Sequence, residues 1–153
     1  MNTAGELQNT ILELLASERL AVLATHEAGQ PYTSLVAVTP SEDLTYVLFP
    51  TMRSTHKYRN IAADGRVALL VDNRSTEKPD SADAMALTIT GLAAEVEQEE
   101  RESLLQQYLA RQPHMKAFAT DPECAIVKVQ VDRYRLVRRL QDVAELDVRP
   151  ADH

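Results

Sequence analysis

Six side chains between positions 51 and 57 could hold an anion: Thr51, Arg53, Ser54, Thr55, His56 and Lys57. Hydroxyls, a guanidinium, an amine and an imidazole are the donor types that surround a phosphate. Their setting adds weight. From Leu44 to Ala63 there is no Asp or Glu, although the chain of 153 residues carries 23 acids and a formal net charge of −7. Chance places an acid-free run of that length at roughly 4% of positions. The competing reading is a solvated basic helix start that pairs with surface acids.

Other chemistries find less support. His26, His56, His114 and His153 show no metal-ligand spacing, and no glycine-rich nucleotide loop or nucleophile elbow occurs. Cys124, the only cysteine, opens the strand-like run "DPECAIVKV" and reads as a structural thiol. The acids of "EVEQEERE" read as a solvated helix face. An acidic protein lacks the basic field that a broad nucleic-acid surface needs. The N-terminus has neither a basic leader region nor a long apolar run, so a cytoplasmic chain without a membrane span is expected.

The elements that must position the basic cluster can be read from periodicity. "GELQNTILELLAS" places Leu7, Ile11, Leu14 and Leu15 at helical spacing. "RLAVLATH" and "YTSLVAVT", joined by "EAGQP", predict a β-hairpin. "PSEDL" is a turn and "LTYVLF" a third strand. After Pro50 the pattern breaks, and a short helix starts near Ser54 or Thr55, with Gly65 at its C-cap. "RVALLVDN" is apolar on both faces and is expected to be covered on both. "RSTEKPDSAD" is a polar loop. "MALTITGLAAEVE" alternates Met85, Leu87 and Ile89 against Ala86, Thr88 and Thr90, with Gly91 at a bulge. "EQEERESLLQQYLARQ" is a helix with an acidic first turn. Closing strands follow, with Ala125, Val127, Val129 and Val131 on one face. One domain over residues 1–153 results: mainly β with peripheral helices, an antiparallel barrel.

The order "GQPYTSLVAV" then "LTYVLFPTMRSTHKYRNIAADGRVALLVDN" resembles the pyridoxamine 5′-phosphate oxidase-like family of FMN-binding split barrels. Gly29 and Pro31 match one element, Thr51, Arg53, Thr55, Lys57, Asn60 and Ile61 the next, and Arg66 to Leu70 the last. The later section, "YLARQPHMKAFATDPECAIVKVQVDRYRLV", resembles the family's haem-utilisation-like branch. The resemblance implies an FMN-binding flavoprotein, a flavin-dependent oxidoreductase, with Arg53, Ser54, Thr55 and Lys57 on the FMN phosphate. His56 stands where relatives carry a second basic residue. Ser34, Leu35 and Val36 fall where the family lines the isoalloxazine ring. A homodimer with FMN at the subunit interface is implied as well. Two rivals remain: a haem-binding protein, with His114 the histidine of the later section, and a non-catalytic flavin-binding module of stress response. The chain also departs from pyridoxamine phosphate oxidase itself, having no Trp and ending "RLQDVAELDVRPADH", without that enzyme's Trp- and Arg-bearing segment.

Overall fold

A computed structural model describes residues 3–74, 84–138 and 142–148. The polar loop expected after residue 74 lies outside the described residues. Helix α1 (Ala4–Ser17) is capped by Thr3, whose hydroxyl accepts from the Glu6 N–H at 3.1 Å. Its Leu7, Ile11, Leu14 and Leu15 are all buried, as their spacing requires.

The strands are β1 (Leu20–Glu27), β2 (Gln30–Ala37), β3 (Thr39–Pro40), β4 (Tyr46–Met52), β5 (Arg66–Asp72), β6 (Met85–Glu95), β7 (Cys124–Arg138) and β8 (Asp142–Asp147). They form one antiparallel sheet in the order β2-β1-β5-β6-β7-β4-β3, with β8 also on β7. The sheet curls into a half-barrel, the split-barrel architecture. β7, of 15 residues, is its spine: it pairs with β6 from Val127 to Arg138, with β4 over the first half and with β8 over the second. Helices α2 (His56–Ala63), α3 (Gln98–Arg111) and α4 (Lys116–Ala119) complete the described chain, with a 3-10 turn at Pro113–Met115.

The expected hairpin is β1–β2. Glu27 pairs with Gln30 across a two-residue turn, in which Ala28 and Gly29 have φ of 50° and 89°. Two positive φ values make a primed turn that matches the twist of the strands, and glycine enters it without strain. The bulge at Gly91 is also present, as a register shift between Thr90 and Gly91.

Three expectations need correction. The third strand does not stop at Phe49; β4 runs on through Pro50 to Met52. β3 pairs only with Val47 and Leu48, so Pro50 sits where β4 has β7 on one side alone, and the missing N–H breaks no ladder there. Second, Gly65 is not the C-cap of α2. Asp64 is, and its N–H donates to the Asn60 carbonyl at 2.9 Å. Gly65 answers to close approach instead: a Cβ there would run into the Ala93 carbonyl oxygen, while Ala93 N–H donates to Gly65 O at 2.7 Å.

Third, the strand that the chain itself covers on both faces is β4, not β5. Val47 and Phe49 join α1, β1, β5, β6 and β7 in the main core. Leu48 turns the other way, to Leu104, Leu105 and Tyr108 of α3 and Ile126 of β7. β5 buries Val67, Leu69 and Val71, whereas Leu70 faces out. Within the described chain no helix packs on that side. The outward residues Leu20, Val22, Leu35, Leu70 and Leu92 remain between 37% and 65% exposed, and Leu35, Val22 and Leu70 sit in one cross-strand row.

Gly65→Ala tests the α2–β5 junction. Because the obstacle is backbone, relief requires the strands to part, and a loss of about 1–3 kcal/mol is expected in urea unfolding. An unchanged midpoint would show that the junction has room.

Candidate cofactor site

The site begins where β4 ends. Thr51 is buried, and its Oγ lies 3.1 Å from that of Thr55. Thr55 donates its hydroxyl to the Met52 carbonyl at 2.8 Å, so Thr51 must be the donor between the two. Thr55 is also the N-cap of α2, accepting from the Tyr58 N–H at 3.3 Å. Both hydroxyl hydrogens expected at a phosphate are thus used to build the turn. What the turn presents outward is backbone: the N–H groups of Ser54, His56 and Lys57 have no backbone acceptor among the described residues.

Arg53 is drawn inward. Nη2 meets Glu95 Oε2 at 2.5 Å, Nε donates to Glu95 Oε1 at 3.4 Å, and Nη1 donates to the Pro122 carbonyl at 2.9 Å. Its backbone N–H donates to Glu123 O at 3.0 Å. Tyr58 donates its hydroxyl to Glu95 Oε1 at 2.6 Å. One carboxylate therefore holds the loop before α2 and the first turn of α2 against the end of β6. The Arg53 hydrogen bond keeps the Glu95 carboxyl below its usual range, and Glu95 in turn raises both Arg53 and Tyr58. Two of the five guanidinium N–H groups remain for a ligand.

His56 faces the β1–β2 hairpin. Its ring stacks on Tyr32 with centroids 4.5 Å apart, and Nε2 lies 2.8 Å from Glu27 Oε1. Ser54 is exposed, and its carbonyl accepts from Arg59 at 3.0 Å. Lys57 is half-buried and has no ion-pair or hydrogen-bond partner among the described residues. Burial pushes its amine down from the ordinary lysine range. Farther along α2, Asn60 donates to Thr25 Oγ1 of β1 at 3.0 Å, and with Ile61 it is one of the two buried residues of the helix.

The three β2 positions divide by the period of two. Ser34 lies on the same face as Tyr32, the face that α2 covers, and its Oγ is buried without a partner among the described residues. Val36 points into the core, and Leu35 outward. β2 is the last strand of the sheet, and Val38 N–H donates to Arg19 O at 2.9 Å. Counting back from that pair, alternation turns the backbone groups of Thr33 and Leu35 away from β1, along the free edge.

Glu95 and Tyr58 are the site residues that sequence reading missed. Glu95 belongs to the acidic run taken for a solvated face, yet steps of two from Leu87 through Ile89, Gly91 and Ala93 lead inward to it. Cys124 is fully buried, and burial raises its thiol, in keeping with a structural role. Among the described residues there is no cluster of His, Cys, Asp or Glu that could hold a metal, and no helix is long and apolar enough to cross a membrane.

A curled antiparallel half-barrel with a donor-rich helix start beside its free edge defines a split-barrel protein. The sequence pattern of the pyridoxamine 5′-phosphate oxidase family matches residues 7–138, and the chain belongs to that family. None of the curated proteins matches the sequence. Solved structures share the fold. A haem binding protein from Mycobacterium smegmatis is 21% identical with a TM-score of 0.80, over 97% of this chain and 59% of that one. A FAD-binding protein from Mesorhizobium loti is 16% identical, TM-score 0.67, over 85% and 90%. General Stress Protein 26 from Bacillus anthracis is 18% identical, TM-score 0.65, over 92% and 98%. The chain thus spans about three fifths of the mycobacterial protein and nearly all of the stress protein.

Glu95→Gln tests the tie. A carboxyl with a depressed folded-state pKa contributes stability that is present above the ordinary Glu range and is lost as pH falls through the folded value. Wild type should therefore lose stability in acid more steeply than the variant. Above pH 6 the variant should be weaker by on the order of 1 kcal/mol, the pair being partly solvated. Parallel urea curves from pH 6 to pH 3 for both proteins would show that Glu95 does not hold Arg53.

Proposed function

We propose that the chain binds FMN and works as a flavin-dependent oxidoreductase. The observation that carries this reading is the donor set at the start of α2: backbone N–H groups and a Lys57 amine without partners among the described residues, and the Ser54 hydroxyl, with no carboxylate in the run from Leu44 to Ala63. These groups fit a phosphate dianion. The buried, unpartnered Ser34 Oγ and the outward backbone of Thr33 and Leu35 fit the polar edge of a flavin ring beside it. In this reading Lys57, Ser54 and the helix N–H groups hold the phosphate. Thr51, Thr55 and Arg53 hold the turn in shape, Arg53 adding its two remaining N–H groups. His56 on Tyr32 closes the hairpin side.

When bound, the flavin supplies hydride and electron transfer, and the protein supplies position and electrostatics. The reading extends to a cytoplasmic homodimer with FMN at the subunit interface. Its support is the outward apolar row Leu35, Val22 and Leu70, with Leu20 and Leu92 nearby, a contiguous face of the kind that marks an interface. A second copy related by a two-fold axis would cover that row with its own.

Protein mixed with FMN and desalted should keep a flavin spectrum near one equivalent per chain. Light scattering of that material should give twice the 17.0 kDa chain mass. A colourless eluate would overturn the flavin reading, and a Soret band in protein as purified would replace it with the haem alternative. A flavin-bound monomer would overturn the shared site.

A further inference from the structure

Away from the flavin site, the end of α1, β3 and the C-terminal end of α3 enclose a cavity of about 160 Å³, bordered by Arg19, Thr39, Arg111 and Gln112 with Leu15 and Val38. Through Thr39, Pro40 and Arg111 it adjoins an open groove of about 540 Å³, which Glu42 and Asp43 also line. Thr39 and Gln112 are each 1% exposed, yet Thr39 Oγ1 and Gln112 Oε1 have no hydrogen-bond partner among the described residues. The amide of Gln112 is not free to turn, because Nε2 donates to the Val38 carbonyl at 3.0 Å. Oε1 is therefore left as an acceptor in want of a donor. A buried polar atom in that state has given up its solvation with nothing in return.

The charges around the two spaces are ordered. Arg19 and Arg111 border the cavity, and neither side chain has a carboxylate partner among the described residues. At the groove Asp43 is fixed by the Thr45 N–H, which donates to its Oδ1 at 3.1 Å, and by the Thr45 and Ser41 hydroxyls, which donate to it at 2.8 Å each; these bonds lower its carboxyl from the usual range. Glu42 beside it is exposed and unpaired among the described residues. Arg19 and the unfilled Gln112 acceptor border the cavity, Glu42 and Asp43 the groove, and Arg111 both; the set complements a molecule that carries both charges and an N–H donor.

We propose that this cavity and groove form a second ligand site, separate from the flavin site, for a small zwitterion: a free amino acid or a dipeptide. Its carboxylate meets Arg111 and Arg19, its ammonium group faces Glu42 and Asp43, and one N–H, of that ammonium in an amino acid or of the peptide bond in a dipeptide, is offered to Gln112 Oε1.

The test uses the full chain and four probes: L-alanine, L-alanyl-L-alanine, acetate and ethylammonium, followed by calorimetry or NMR shifts. At least one zwitterion should saturate at one site per chain. Acetate and ethylammonium, each holding half of the charge pattern, should bind more weakly by about tenfold or more. Arg111→Ala, at an exposed position, should weaken the zwitterion by a similar factor while leaving FMN retention unchanged. Thr39→Val should weaken it less. Circular dichroism confirms that each variant is folded, and the arginine variant decides the matter if the valine one is not. The proposal falls if neither zwitterion saturates up to about 10 mM, a concentration that reaches affinities near 3 kcal/mol. It falls equally if acetate binds as well as the zwitterions, or if Arg111→Ala changes nothing. FMN retention measured beside these titrations separates failure here from failure of the flavin reading.

Discussion

The carboxylate of Glu95, at the end of β6, accepts from Arg53 on one side of the β4–α2 turn and from Tyr58 on the other. Through Arg53 it also reaches the Pro122 carbonyl ahead of β7. Three segments distant in sequence are thereby fixed at one point. The consequence is electrostatic as well as mechanical. In the proposed phosphate site, an arginine whose charge is matched by a carboxylate would contribute shape more than net charge, whereas Lys57, unpaired among the described residues, would contribute charge. The division of labour between the two cations follows from where one acid sits.

Much of the fold was legible because its rules are local. The spacing of Leu7, Ile11, Leu14 and Leu15 marks α1, the Gly29 turn marks the first hairpin, and Gly91 marks the bulge. Where reading failed, the deciding partner lay far along the chain. The end of β4 depends on how far β3 reaches beside it, and the burial of both faces of β4 depends on α3. Gly65 looks like a cap until β6 is placed against it. The basic cluster was legible as a cluster. That Thr51 and Thr55 spend their hydroxyl hydrogens on the turn, and Arg53 three of its five side-chain N–H groups on Glu95 and the Pro122 carbonyl, needs the third dimension.

The half-barrel itself does not choose a cofactor. The same fold appears in a haem binding protein and in a FAD-binding protein, both below 25% identity to this chain. The choice is left to side chains. His114 lies exposed in the turn after α3, while the start of α2 gathers N–H donors and an unpaired amine beside an unpartnered Ser34 hydroxyl. Donors of that kind suit a phosphate and the polar rim of a flavin; a haem iron asks for an axial ligand such as histidine and an apolar slot.

The most direct measurement compares FMN with riboflavin, which has the same ring and no phosphate, on wild type, Lys57→Ala and Arg53→Ala. If Lys57 supplies the charge that the phosphate meets, its loss should weaken FMN by about tenfold or more, one charge-assisted hydrogen bond's worth, and leave riboflavin unchanged. Loss of Arg53 should instead weaken both ligands and lower the unfolding midpoint, because the turn itself loosens. The contrary result is a selective loss of FMN in Arg53→Ala with none in Lys57→Ala, which would make Arg53 the phosphate's partner and Glu95 its competitor.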